Sequence, residues 1–272
     1  MTALIIVIIL SIVEGMTEFV PVSSTGHMIL MEKLLSRFIT GEALTRDFMD
    51  TFLIVVQFGA IIAVVICFWK DIHPFTRDKK ILKERFNLWS KVIVGVIPAG
   101  VIGVIFDKKI SQYFMDNVVI VAAALIFYGI IFIVVEKKLK IVPKIENIKA
   151  LTYKTAVLVG FFQCLAMVPG TSRSGATIIG GLLLGLSRPV AAEFSFFLAI
   201  PVMAGATLLK ILKNGLNFTG EQWMLITVGT VIAFVVAYVV IKWFMDYLRK
   251  KNFVGFGYYR IALGILVLLF LR

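Results

Sequence analysis

Two short stretches of this sequence place chemically reactive side chains within apolar surroundings. The first, "EGMTEFVPVSSTGH" at residues 14–27, contains two carboxylates, several hydroxyls and a histidine. The second, "PGTSRSGAT" at residues 169–177, contains an arginine among hydroxyl residues and glycines. A charged side chain at the centre of a bilayer costs about 2.5–3.5 kcal/mol even on the mildest scale, and such residues usually mark a functional site.

The carboxylates of the first stretch, Glu14 and Glu18, are four residues apart and share one helix face with Ser11. Two acidic side chains on one stripe need a partner, which can be a metal ion, another cation or a shared proton. We expect them to hold a metal ion or to act in proton transfer. The alternative is that both side chains reach a nearby membrane interface and have a structural role.

Hydroxyls and an imidazole follow the proline of the first stretch, at Ser23, Ser24, Thr25 and His27. Any one of these hydroxyls can cap the helix that begins there, since its first N–H groups lack partners. Beside two carboxylates, His27 is a candidate base, acid or nucleophile, and Ser24 is a second candidate nucleophile. The residues alone do not decide between the two, and a lone core histidine is the structural alternative.

The second stretch is suited to an anion. Small and hydroxyl residues surround Arg173, namely Gly170, Thr171, Ser172, Ser174 and Gly175, and Thr177 follows four residues later on the same helix face. A break that leads into a helix presents backbone N–H groups and the positive end of the helix dipole. The planar guanidinium matches the oxygens of a phosphate. We therefore predict anion binding here, the alternative being that Arg173 pairs with a carboxylate and holds the fold together.

The composition is that of a membrane protein. The chain has 272 residues, of which 60% are hydrophobic, and its mean hydropathy is +0.98. Its net charge of +12 comes from Lys and Arg in short segments beside apolar runs, which argues for membrane topology and against a nucleic-acid partner. Cys67 and Cys164 lie in apolar runs and predict no disulfide. The apolar start lacks a cleavage site and is expected to be retained.

Six segments are apolar for about the length that crosses a bilayer. They are 49–69, 88–106, 117–135, 190–210, 222–243 and the shorter 257–271. Two further apolar regions, 1–35 and 153–187, are interrupted by proline and polar residues. Freed backbone groups are tolerated in a membrane only inside protein or beside a cavity. We therefore predict an all-α polytopic fold with six transmembrane helices and two re-entrant helix–break–helix hairpins.

The distribution of Lys and Arg predicts the orientation. Segments 70–91, 136–154 and 242–251 hold seven, six and four of them. The alternate connections 33–47, 107–117 and 210–221 hold three, two and two. With two hairpins that do not cross the membrane, the rich set lies on one face, which should be cytoplasmic, and both termini lie outside. Eight full spans, the alternative, would put 70–91 and 242–251 on opposite faces.

The two halves of the chain resemble each other. "DFMDTFLIVVQFGA" at 47–60 aligns with "EFSFFLAIPVMAGA" at 193–206, and "VPVSSTG" aligns with "VPGTSRSG". We predict one membrane domain, 1–272, with repeats at about 1–135 and 152–272. Each repeat has one hairpin and three spans. Three crossings is an odd number, so the second repeat starts on the opposite side of the membrane and is inverted relative to the first. Inverted repeats bring their broken helices together near the midplane. Chance similarity between apolar segments is the alternative.

The two reactive stretches resemble the signature motifs of the undecaprenyl-pyrophosphate phosphatase family of the bacitracin-resistance type. Both motifs are intact, and the resemblance extends over essentially the whole chain. It implies a multi-pass enzyme of the bacterial inner membrane that converts a polyprenyl pyrophosphate to its monophosphate for cell-wall synthesis. It also implies a divalent cation, Mg²⁺ or Ca²⁺, and a site that opens to the outer face. The family's functional residues correspond to Glu14, Glu18, Ser24, His27, Ser172, Arg173 and Thr177.

These observations together predict a membrane diphosphatase. Glu14 and Glu18 would bind the cation, with Ser24, His27 and Arg173 as the other catalytic residues. The remaining hydroxyls and glycines of the two breaks would bind the substrate. Membrane lipids and a second copy of the chain, in a homodimer, are the other expected partners. A transporter or flippase of an anionic lipid is the main alternative, because such proteins also use inverted repeats and broken helices. A non-catalytic lipid-binding subunit is the third possible function.

Overall fold

The computed structural model describes residues 3–36, 38, 42–114, 117–139, 141–214 and 217–271. Within these ranges the chain forms helices and no β-strand, which confirms the all-α prediction. The α-helices are α1 (Ala3–Thr17), α2 (Ser24–Leu35), α3 (Arg46–Cys67), α4 (Trp69–Ile72), α5 (Lys79–Phe114), α6 (Val118–Val134), α7 (Tyr153–Cys164), α8 (Arg173–Leu183), α9 (Arg188–Asn214), α10 (Gly220–Lys250) and α11 (Val254–Leu271). The predicted connections 33–47, 107–117, 136–154 and 210–221 lie partly outside the described residues.

Five helical segments of the described residues are long and apolar enough to cross a bilayer, namely α3, α5, α9, α10, and α6 together with the helical turn that continues it to Leu139. The predicted sixth span corresponds to α11, whose apolar stretch Val254–Phe270 is shorter. α5 begins at Lys79, so most of the basic segment before the predicted span at 88–106 is helical. The carboxylate of Asp78 caps this extension by accepting a 2.8 Å hydrogen bond from the Lys80 amide. The protein is therefore a polytopic membrane protein.

Both interrupted regions consist of two short helices that flank a break, as predicted. α1 and α2 flank one break, and α7 and α8 flank the other. In each break a serine has a left-handed backbone, Ser23 with φ 73° and Ser172 with φ 71°. The hydroxyl of each serine accepts a hydrogen bond from an amide three residues later, that of Gly26 or Gly175. The serine thus caps the second helix of each pair, while entry and exit on one side of the membrane stays a prediction.

Contacts between connections agree with the two predicted sets. Lys149 pairs with Glu84 at 2.7 Å, which joins segments 136–154 and 70–91. Glu136 accepts a 3.1 Å hydrogen bond from the amide of Phe253, just beyond segment 242–251. In the other set, Gln222, just beyond segment 210–221, donates to the carbonyl of Ala43 in segment 33–47 at 3.4 Å. The three basic connections therefore gather at one end of the bundle, called here the basic end.

The main helix contacts join the two halves of the chain. α1 of the first half packs on α10, the second span of the second half, and α7 of the second half packs on α5, the second span of the first half. α6 lies against α11, and α3 packs mainly on α10 and also on α9. Phenylalanines fill the centre, where the rings of Phe19 and Phe196 meet edge to face at 5.2 Å. Large apolar side chains such as Val104 and Phe127 are exposed, as expected for surfaces that face lipid.

Candidate active site

The two breaks meet at the carboxylate of Glu18. Ser24, the first residue of α2, donates a 2.7 Å hydrogen bond from its hydroxyl to Oε2. Arg173, the first residue of α8, donates from Nη2 to Oε1 at 3.2 Å. The Glu18 and Arg173 side chains are only 8% and 12% exposed, so this ion pair is shielded from solvent. One carboxylate therefore links the beginnings of both second half-helices.

Only some of the N–H groups of the Arg173 guanidinium have hydrogen-bond partners in the described part of the protein. Its Nη1 donates to the carbonyl of Ser195 at 2.9 Å, and the group lies 5.8 Å from the centre of the Phe19 ring. Its Nε is buried and has no hydrogen-bond partner in the described part of the chain. The pairing with a carboxylate, which the sequence left as an alternative, is thus present. It leaves the Nε–H group without a protein partner among the described residues, and anion binding here stays a prediction.

His27 and Ser24 have different partners. Nδ1 of His27 lies 2.7 Å from the carbonyl oxygen of Ser23, which can only accept, so Nδ1 carries a proton. Nε2 lies 2.6 Å from the hydroxyl of Tyr259, whose ring is stacked on the imidazole. The imidazole is therefore held by Ser23 and Tyr259, whereas the hydroxyl of Ser24 is held by Glu18.

Two of the hydroxyls predicted to bind substrate are fully buried and hydrogen-bonded within the protein. Ser174 donates to the carbonyls of Glu18 and Val20 at 3.1 and 3.3 Å. Thr177 donates to the hydroxyl of Ser195 at 2.7 Å. These hydroxyls connect α8 to the first break and to α9, so they hold the site together. Their contact with substrate stays a prediction.

The other predicted residues lie in the two breaks or in the first turn of the helix that follows. Thr25 is exposed, Thr171 is fully buried, and Ser23 and Ser172 are the caps described above. Gly170 has φ +88°, and a Cβ there would collide with the carbonyl oxygen of Val121. Only glycine fits this close approach without strain.

Comparison with protein families identifies the family to which the chain belongs. The family model described as "Bacitracin resistance protein BacA" matches residues 7–266. The chain belongs to this family.

Curated relatives of this BacA-family chain carry one enzyme name. "Undecaprenyl-diphosphatase" of Fusobacterium nucleatum is 60% identical over 97% of this chain and 99% of its own length. "Undecaprenyl-diphosphatase 1" of Clostridioides difficile is 55% identical, over 96% and 93% of the two chains. "Undecaprenyl-diphosphatase" of Enterococcus faecalis is 48% identical, over 96% and 95%.

Glu14 provides a test of whether this BacA-family site suits a cation. Its side chain is 2% exposed and lies beside the Glu18 carboxyl and the side chain of Gln57. Among the described residues, Oε1 of Glu14 has no hydrogen-bond partner. Ser11, on the same face, donates instead to the carbonyl of Val7. A buried carboxylate oxygen without a partner, next to further oxygen donors, fits a hard divalent cation.

The donor set is small for a metal held by protein alone. The described part of this BacA-family chain contains no group of three or more His, Cys, Asp or Glu side chains that could hold a metal ion. Mg²⁺ is commonly bound by one or two carboxylates together with substrate phosphates. The pair of Glu14 and Glu18 therefore fits a cation that arrives with, or is completed by, a pyrophosphate.

Arg260 is a site residue that the sequence reasoning missed. It is fully buried and donates to the carbonyl of Pro21 at 3.2 Å and to those of Gly170 and Thr171 at 2.9 Å. One guanidinium thus binds both breaks of this BacA-family fold. An arginine within the last apolar segment was the available signal, because a charge at that depth needs a partner. Tyr259, which precedes it, brings α11 to His27 as well.

Proposed function

We propose that this chain is an undecaprenyl-diphosphatase, which hydrolyses undecaprenyl pyrophosphate to undecaprenyl phosphate and inorganic phosphate and recycles a lipid carrier for cell-wall synthesis. The arrangement of Ser24, Glu18 and Arg173 at the meeting of two broken helices carries this proposal. It combines a hydroxyl paired with a carboxylate and a buried guanidinium. The name shared by curated relatives at 48–60% identity supports the same activity.

Ser24 is the proposed nucleophile, because its hydroxyl already donates to a carboxylate. As its oxygen attacks the terminal phosphorus, its proton passes to Glu18 and the bond to the bridging oxygen breaks. Undecaprenyl phosphate leaves, and water then hydrolyses the phosphoserine to release phosphate and restore the hydroxyl. His27 is less suited to attack, since both ring nitrogens have hydrogen-bond partners. It would orient the break through Ser23.

Arg173 would hold the pyrophosphate. Its unpartnered Nε and its remaining N–H groups supply donors, and the first amides of α2 and α8 have no partner within their helices. Helix starts favour negative charge, and two of them meet here. Phosphoryl transfer depends mostly on positioning and charge neutralisation, which these groups provide.

A divalent cation, Mg²⁺ or Ca²⁺, would be held by Glu14 and Glu18. When bound, it would neutralise charge on the phosphate oxygens during transfer. Glu14 is suited to this role by its unpartnered, buried carboxylate oxygen, described above. Glu18 would then contribute to cation binding as well as to the activation of Ser24.

We place the enzyme in the bacterial inner membrane, with six spans, two re-entrant hairpins and inverted repeats, and with the site open to the outer face. The gathering of three basic connections at one end supports this arrangement over eight spans. Segments 70–91 and 242–251 both lie near segment 136–154, so all three are on the same side of the membrane. The chain between 70–91 and 242–251 therefore crosses the membrane an even number of times, which eight full spans would not allow. The paired packing of α1 on α10 and α7 on α5 supports the repeat. A homodimer is a further prediction, which sedimentation of purified protein would test.

Phosphate release from undecaprenyl pyrophosphate by the purified protein tests the function. We expect release that a chelator abolishes and added Mg²⁺ or Ca²⁺ restores. A transporter would move the lipid across vesicles without releasing phosphate, and a binding subunit would do neither. Absence of phosphate release from a well-folded sample with cation present would contradict the proposal.

A further inference from the structure

A groove runs along the lipid-facing side of the bundle where α5 packs on α7. It contains two clefts, one of 790 Å³ lined by Lys80, Lys83 and other residues, and one of 360 Å³ that includes Val94 and Ile97 in its wall. These four residues follow one another on α5 at helical spacing, so they lie on one face. The groove therefore passes from the basic end of the bundle into its apolar belt.

The end of the groove nearest the connections is positively charged. Lys80 and Lys83 are exposed, and neither forms an ion pair within the described residues. The carboxylate in this cleft, Glu84, is already neutralised by Lys149 at 2.7 Å. Two ammonium groups without an ion-pair partner among the described residues therefore line this cleft.

Polar groups without charge lie between the lysines and the apolar part of the groove. The hydroxyls of Ser90 and Tyr153 are 2.7 Å apart, and Tyr153 also donates to the side chain of Asn87 at 3.3 Å. All three residues line the first cleft. This order of charged, polar and then apolar side chains follows the order of chemical groups in a phospholipid, from phosphate through ester to acyl chain.

The second cleft has an apolar wall on both helices. α5 contributes Val94 and Val101, which are about 10 Å apart along the axis, and α7 contributes Val157 and Phe161. That length fits within the ~15 Å half-thickness of a hydrocarbon core. Behind it, a side chain on Gly160 would collide with the backbone of α5, so the two helices touch and form the floor of the groove.

We propose that this groove binds a membrane phospholipid with an anionic headgroup, its phosphate beside Lys80 and Lys83 and one acyl chain along Val94 and Phe161. Basic pockets between helices at a cytoplasmic face bind anionic lipid headgroups by charge attraction, and each lysine near the surface strengthens binding ~5-fold. The site is separate from the break loops and does not depend on the proposed catalytic activity.

Native mass spectrometry of the purified protein, after incubation with phosphatidylglycerol or with phosphatidylcholine, tests this site. Replacement of both lysines, as Lys80→Gln with Lys83→Gln, should weaken phosphatidylglycerol binding ~30-fold, from two lysine contributions. The matched control is Lys250→Gln with Lys251→Gln, which removes the same charge from exposed lysines at the end of α10. Ile97→Trp should fill the apolar part of the groove and reduce binding in the same way.

Three results would overturn the proposal. If the control pair loses as much phosphatidylglycerol binding as the Lys80 and Lys83 pair, the lipid is attracted to the basic end as a whole and not to this groove. If Ile97→Trp reduces binding and the lysine changes do not, the groove binds a neutral lipid or a prenyl tail. Glycerol phosphate that binds as tightly as the lipid, unaffected by Ile97→Trp, would mean a free phosphate site. Melting temperatures and phosphate release close to those of the wild type would establish that the variants are folded.

Discussion

Ser24 donates a hydrogen bond of 2.7 Å to the carboxylate of Glu18. A serine hydroxyl is a weak nucleophile until a neighbouring base accepts its proton. Here the base is also paired with Arg173, at 3.2 Å, on the opposite broken helix. The activation of the hydroxyl and the joining of the two halves therefore depend on the same carboxylate.

Replacement of Glu18 by glutamine should impair catalysis and also lower the melting temperature. The single amide oxygen can accept from only one of Ser24 and Arg173, and the amide cannot take a proton or bind a cation strongly. We expect kcat to fall ~10²-fold or more, the usual contribution of a positioned base. If Glu18 also holds the cation, extra Mg²⁺ should restore part of the loss. Phosphate release measured across a cation series checks this, and full activity at low cation would exclude both roles.

Changes at Arg173 should separate binding from folding. Lysine keeps the charge but not the planar fork, so Arg173→Lys should lose ~10³-fold in kcat/KM while the protein still folds. Arg173→Ala leaves Glu18 buried and unpaired, and loss of one partner of a buried pair typically costs about 3–5 kcal/mol. We therefore expect Arg173→Ala to be nearly inactive and also less stable.

Thermal unfolding and phosphate release should be measured on the same Arg173→Ala sample. A variant that unfolds early but keeps normal activity per folded molecule would assign Arg173 to the fold alone. A stable and fully active variant would contradict both of its roles.

Arg260 should prove necessary for the alignment of the two breaks. Arg260→Ala leaves three buried carbonyls without their donor, each worth about 1–3 kcal/mol when unsatisfied. A lower melting temperature and a lower kcat/KM should follow, and Arg260→Lys should recover little, since one ammonium cannot reach all three oxygens. Arg249→Ala, a change at a largely exposed arginine, is the control. Equal melting temperatures for the two alanine variants would contradict this role.

The basic end should face the cytoplasm. In a chain without Cys67 and Cys164, a cysteine placed at Lys80 should resist a membrane-impermeant maleimide in sealed cells. A cysteine placed at Glu221, exposed at the other end, should be modified. The reverse pattern would invert the orientation, and modification of both positions would contradict the proposed topology.

Local features of the sequence were sufficient to predict the helices and the breaks. Apolar length indicated the spans, and Pro21 and Pro169 marked the interruptions, because proline cannot continue the hydrogen-bond pattern of a helix. Charged residues inside those interruptions drew attention to Glu18 and Arg173 for energetic reasons. The extension of α5 to Lys79 was missed, because its cap by Asp78 lies in a segment that otherwise resembles a basic loop.

The contacts that assemble the site could not be predicted in the same way. Glu18 and Arg173 are 155 residues apart, and Arg260 is 239 residues from Pro21. Nothing local to α11 indicates which carbonyls its arginine will reach. The hydroxyls of Ser174 and Thr177 resembled ligand contacts in sequence, yet they hydrogen-bond to neighbouring elements, which depends on how those elements pack.

The most direct test of the central claim is the rate of phosphate release from undecaprenyl pyrophosphate by purified Ser24→Ala protein. Ser36→Ala serves as the control, because that hydroxyl donates to the carbonyl of Lys33, a backbone group outside the site. If Ser24 is the nucleophile of a phosphatase centred on the two breaks, its alanine variant should lose ~10³-fold or more in kcat, with a normal melting temperature and full activity in the control. A folded Ser24→Ala protein that released phosphate at the wild-type rate would contradict the account.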